Sequence, residues 1–272
     1  MNLNKIFLCE KEINYNTPDK YAFLNWRFDN GTGYNDKQNP KQPIFDNFEM
    51  GKAHLANAVL TIYSLVYSSN YCSVADSLIF PVLFNVWHSI ELLLKCGTQA
   101  LTILVNNQNT TPLSHDIFKL KGVFEAALKN ANMNLTVTNN LVHLNYLISE
   151  FKKVNAHFDF ARYSFDSKGD FQFYNAPYND SKQWQSCTFK DIGNVPNTCV
   201  DISSLLEVLV NTSTTFLTLI YYLNVCISEA EQPTDKGFDS FKKTKGHFNN
   251  DDELNEEDPI RKILSAIFLE IL

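Results

Sequence analysis

The sequence predicts an all-α fold, and three features carry that prediction. Apolar residues recur at helical spacing through most of the middle of the chain. The longest such run, residues 81–105, is strongly amphipathic. Strand-like patterns are confined to one short stretch near residue 169. With 44% hydrophobic residues, and 21 Phe and 12 Tyr among 272 residues, the chain can bury a sizeable core. Its length reads as one main domain with appendages.

Residues 1–47 read as an irregular arm, with aromatics at Tyr21, Phe23 and Trp26 followed by the breakers Gly31, Gly33, Pro40 and Pro43. The helical domain spans 48–231. Its first helix, about 48–68, aligns Leu55, Val59, Ile62 and Leu65, with Asp46 or Asn47 placed to cap it. A second helical stretch from about 73 meets Pro81, where the missing N–H and the ring clash predict a kink or a restart. Beyond it, Val86, Ile90, Leu93, Leu94 and Leu101 share one side, and Asn85, His88, Glu91, Lys95 and Gln99 the other.

Ser114 stands as N-cap to a helix reaching about 131, and another helix covers about 138–155. An insertion at about 160–198 opens with two β-prone pieces on either side of Gly169, which predict a small hairpin. Asp201 begins the last body helix, to about 231. That helix is apolar nearly all round, as expected if it is central in the core or shared with a second subunit. Residues 232–258 read as a polar, acidic linker. The segment from Pro259 to Leu272 reads as a separate C-terminal amphipathic helix, on a linker long enough to reach a partner protein.

A net charge of −7 argues against a broad basic nucleic-acid groove, while leaving room for a local basic patch. The six cysteines include no C-x-x-C pair, so zinc spacing is missing and no metal or cofactor is predicted. Scattered thiols without an apolar leader point to a reduced, cytoplasmic setting. The most apolar run, 216–227, falls short of the ~20 residues of a membrane span, so no membrane association is expected. Zinc-protease, phosphate-loop and nucleophile-elbow motifs are all missing from the sequence.

Chemistry concentrates on the polar stripe. Glu91 and Lys95 form an i,i+4 pair, worth about 0.2–0.5 kcal/mol on an exposed helix face. Held inside a bundle, such charges must be paired or functional. His115, at a helix start, and Arg162, before a turn, are placed to converge on them. His54 and His143 read as surface or capping residues.

The run Phe80-Pro81-Val82-Leu83-Phe84, then His88-Ser89-Ile90-Glu91-Leu92-Leu93-Leu94-Lys95, is followed by His115-Asp116-Ile117 with Leu120, then Phe160-Ala161-Arg162-Tyr163 with Asp166 and Gly169. In order and spacing, over about residues 48–231, these pieces resemble an uncharacterised bacterial group related to the HEPN superfamily (higher eukaryotes and prokaryotes nucleotide-binding). The resemblance implies a HEPN-like helical bundle, a homodimer, and a place in anti-phage defence or toxin–antitoxin systems, with RNA or a nucleotide as ligand. It marks Glu91, Lys95, His115 and Arg162 as candidate catalytic residues and His88, Tyr163 and Asp166 as candidate binding residues. Two positions depart from the pattern. Trp87 stands where the group often has Arg, and no Arg is followed by His at the R-x(4–6)-H spacing of active HEPN ribonucleases. Lys152 and His157 come nearest, but lysine offers a point charge rather than a bidentate fork. Three functions follow as expectations: a non-catalytic subunit binding RNA, nucleotide or a partner protein; a divergent metal-independent ribonuclease; and a structural assembly module.

Overall fold

A computed structural model describes residues 41–67, 72–106, 112–133, 141–154, 200–248 and residue 267. Helices dominate these residues, and none of them is in a strand. The expected hairpin, the arm before residue 41 and most of 259–272 lie outside them.

Helix α1 (Gln42–Tyr67) begins earlier than its pattern predicts. Pro43 falls in the first turn, where its missing N–H costs nothing, so it starts the helix rather than ending the arm. Asp46 and Asn47 therefore lie within the helix instead of capping it. Helix α2 (Cys72–Asn106) runs unbroken through Pro81, against the expected restart. Proline removes a bond to the carbonyl of Ser77, and both residues are exposed, so water can satisfy that carbonyl.

The two helices form an antiparallel hairpin. Ser89 donates its hydroxyl to the Gly51 carbonyl at 2.8 Å. A Cβ at Gly51 would stand 2.8 Å from Leu93 Cγ, so glycine sets this close approach. From Ser89 to Leu101 every residue of α2 is buried, Glu91, Lys95 and Gln99 of the polar stripe included. The stripe is thus an interior feature along this stretch and not a solvated face.

Helix α3 (Ile117–Asn130) is capped by Asp116, whose side chain accepts from the amides of Phe118 and Lys119. Ser114, the expected cap, instead accepts the Asp116 amide and shapes the preceding turn. Helix α4 (Val142–Val154) joins through Phe151, which meets Trp87 edge-on, as does Phe118. Trp87 thereby knits α2, α3 and α4.

Helix α5 (Ile202–Thr212) opens at Asp201 as predicted, with the carboxylate accepting from the amides of Ser203 and Ser204. A π-helical turn, Ser213–Leu217, links it to α6 (Thr218–Glu229). Most of the apolar circumference of α6 is buried within the chain, against α2, α1 and the helix that follows. Residues 235–248, inside the expected linker, form helix α7 (Asp235–Phe248). Its polar composition hides one anchor: Phe238 is fully buried and meets Tyr222 of α6. Ile267, within the expected C-terminal helix, is helical and buried in the same core.

Two stretches, Val74–Asn106 and Ile202–Glu229, are long and apolar enough to cross a membrane. The second contains the 216–227 run and extends well beyond it, and the first is a separate helix. Half of the most apolar window of the first is buried inside the protein, and core helices pass the same test.

Candidate functional site

His88, Glu91 and Lys95 succeed one another along α2 at spacings of three and four, which places them on one face. Of these three, Glu91 alone carries side-chain oxygens to accept from its neighbours. Lys95 Nζ lies 2.7 Å from Glu91 Oε1, with both side chains nearly out of solvent. His115 reaches the same oxygen with Nδ1 at 2.8 Å. His88 Nδ1 stands 3.8 Å from Oε2, an ion-pair distance longer than a direct hydrogen bond.

His115 arrives from the turn before α3, fixed by the caps at Ser114 and Asp116. Its side chain is 84% exposed, against 7% for Glu91. An ionised carboxylate only accepts, so Nδ1–H donates to Glu91. The neutral ring is then left with Nε2 as its acceptor.

Electrostatics keep Glu91 charged. Burial alone would push its carboxyl up, but the contacts of His88, Lys95 and His115, and the Lys95 charge, outweigh that and hold it down to about 2. It is ionised throughout the neutral range. A carboxylate this acidic is a weak proton acceptor, so its part is to neutralise Lys95 and to orient imidazoles.

The network continues onto α1. Asn85 donates from Nδ2 to Asn57 Oδ1 at 3.0 Å, so its Oδ1 is the partner of His54 Nδ1 at 2.8 Å. The His54 and His88 rings meet edge-on with centroids 4.7 Å apart, and Phe84 stacks beside His88. A continuous polar and aromatic track thus runs from Asn57 to His115. Sequence reasoning missed His54 and Asn57. Their signal was an i,i+3 pair on α1 matching the i,i+3 pair Asn85 and His88 on the antiparallel α2.

A second interior pair also escaped it. Lys52 Nζ lies 2.7 Å from Glu49 Oε1 and 4.5 Å from the centre of the Phe48 ring, with Lys52 almost wholly buried. Glu49, one turn before it on α1, neutralises this core lysine.

Of the predicted site residues, the fold brings together His88, Glu91, Lys95 and His115. Arg162, Tyr163 and Asp166 lie outside the described residues. Among the described residues no group of three His, Cys, Asp or Glu side chains could hold a metal. Cys96, buried between α2 and α6, donates to Asn224 Oδ1 at 3.7 Å, and desolvation drives its thiol far above the usual range. Burial and the raised pKa keep this thiol neutral and away from solvent, as in a structural cysteine. Comparison with protein-family profiles, curated proteins and solved structures finds no match.

Proposed function

We propose that the chain is a HEPN-like, non-catalytic subunit of a bacterial defence or toxin–antitoxin system, and that it binds RNA or a nucleotide at the Glu91 cluster. One observation carries this reading. A buried carboxylate is fully committed to Lys95, His115 and His88, and it presents an oriented, exposed imidazole at the surface. A protonated His115 offers a phosphate a charged donor, with the aromatic and amide groups of the α1–α2 track alongside. The sequence resemblance, the missing R-x(4–6)-H motif and the low pKa of Glu91 all favour binding over cleavage.

A divergent ribonuclease is the second reading, favoured by the carboxylate–imidazole pair itself. His115 with Nδ1 held by Glu91 is arranged as an acid–base group would be, with Nε2 left to exchange a proton.

Short single-stranded RNAs and tRNA, incubated with the protein and with His115→Ala and Glu91→Gln variants, separate these functions. His115 is exposed and Glu91 keeps Lys95, so the alanine variant should keep the fold, which circular dichroism checks. Weaker binding by that variant, with RNA intact in every lane, supports the binding subunit. Cleavage by the parent that vanishes in both variants supports the ribonuclease. Unchanged RNA binding in His115→Ala, with no cleavage by the parent or either variant, removes both and leaves a cluster that only stabilises the bundle.

A further inference from the structure

Beside the Glu91 cluster, but lined by none of its four residues, lies a cavity of about 550 Å³ between the end of α2, the segment 112–114 and α3. Its volume is within the range of small-molecule sites, about 300–1,000 Å³. Leu101 and Leu120 form an apolar floor. Val105, Leu113 and Val123, three of the large apolar side chains that stay exposed among the described residues, gather at its walls. Exposed apolar side chains scattered singly mean little, but clustered around one concavity they mark a binding surface.

Charge sharpens the ligand class. Among the described residues, Lys119 is the only charged one lining the cavity, and no carboxylate lines it. Its ammonium is mostly exposed and sits a loose 3.7 Å from Asp116 Oδ2 just outside. Thr98, also in the lining, is 4% exposed, and its hydroxyl makes no hydrogen bond among the described residues. Buried hydroxyls ordinarily find a partner.

We propose that this cavity is a binding site for a small amphipathic organic acid, with its hydrocarbon body on Leu101, Leu120 and Val123 and its anionic head at Lys119. Because His115 follows Ser114 directly, the His115–Glu91 contact also pins the wall segment 112–114 to α2. The cavity requires no ribonucleic acid chemistry and stands independently of the function proposed above.

Octanoate and 1-octanol, titrated separately into the full chain and followed by calorimetry and methyl NMR, test it. Octanoate is expected to bind about tenfold more tightly than the alcohol of equal length, reflecting one charge-assisted contact. Lys119→Gln, at an exposed position, should erase that preference while leaving octanol binding intact. Val123→Asp, also exposed, should abolish octanoate binding by placing a carboxylate in the apolar wall. Circular dichroism checks that both variants stay folded. Equal affinity for acid and alcohol, octanoate binding unchanged in Val123→Asp, or no binding of either probe overturns the proposal.

Discussion

Glu91 is the residue on which most of the local energetics turn. Its folded pKa, about 2, lies below the ordinary value of 4.5, so its ionised form is favoured by folding. The resulting stability is complete above pH 4.5 and is lost as the pH falls from there toward 2. For a side chain this buried the gap corresponds to stability on the order of 3 kcal/mol. Urea unfolding measured from pH 7 to pH 2 should therefore steepen below 4.5 in the parent protein. Glu91→Gln leaves the Lys95 charge without its partner. It should be less stable than the parent by about 3–5 kcal/mol at pH 7, with the difference shrinking toward pH 2. Equal slopes for the two proteins would refute the assignment. This centre was half legible in the sequence. The i,i+4 spacing showed Glu91 with Lys95, and His115 stood at a helix start. That His54 couples to Asn85 was not legible, because it depends on how two helices pair across 31 residues.

At the scale of elements, glycine decides how closely α2 can be crossed. A Cβ on Gly97 would come within 2.6 Å of both Ile220 on α6 and Phe124 on α3. Both are fully buried, so neither has room to yield. Gly97→Ala, although it raises helix propensity, should destabilise the fold by about 1–3 kcal/mol through overpacking, seen as a lower thermal midpoint. The exposed Gly122, where nothing lies within 4 Å of an added Cβ, is its control: Gly122→Ala should leave stability unchanged or raise it. Helix existence, the Asp201 cap and the apolar faces of α2 and α4 followed from periodicity and side-chain chemistry alone. The unbroken passage of α2 through Pro81 did not, since it hangs on whether one carbonyl faces water. Nor did the cap at Asp116: Ser114 and Asp116 are both good capping residues, and only the path of the chain selects between them.

For the molecule as a whole, α7 shows where composition misleads. Residues 235–248 average out as polar, and a linker was the natural expectation. Yet Tyr222 accepts the Thr234 amide at 3.0 Å and donates to its carbonyl at 3.2 Å, fixing the chain just before the helix. Phe238 and Phe241 then pack on the tyrosines of α6. Two aromatic anchors suffice for a short helix, and an average over fourteen residues conceals them. Tyr222→Phe keeps the ring and removes both hydrogen bonds. It should cost about 1–3 kcal/mol, and amide hydrogen exchange should quicken in α7 ahead of α1 and α2. Uniform acceleration across the protein would show instead that α7 opens only with global unfolding.

The π-helical turn at 213–217 gives the rod formed by α5 and α6 a built-in slack of one residue. Such a turn holds one residue more than an α-helix needs, and the helices on either side keep the phase they would have had without it. Excising exposed Thr214 should accordingly heal the rod into a single α-helix with its buried faces still aligned. A deletion at Val208, outside the wide turn, would rotate everything beyond it by about 100°. A protein that survives the first excision and not the second would show that the wide turn absorbs one residue beyond what a regular helix needs, and that its neighbours do not.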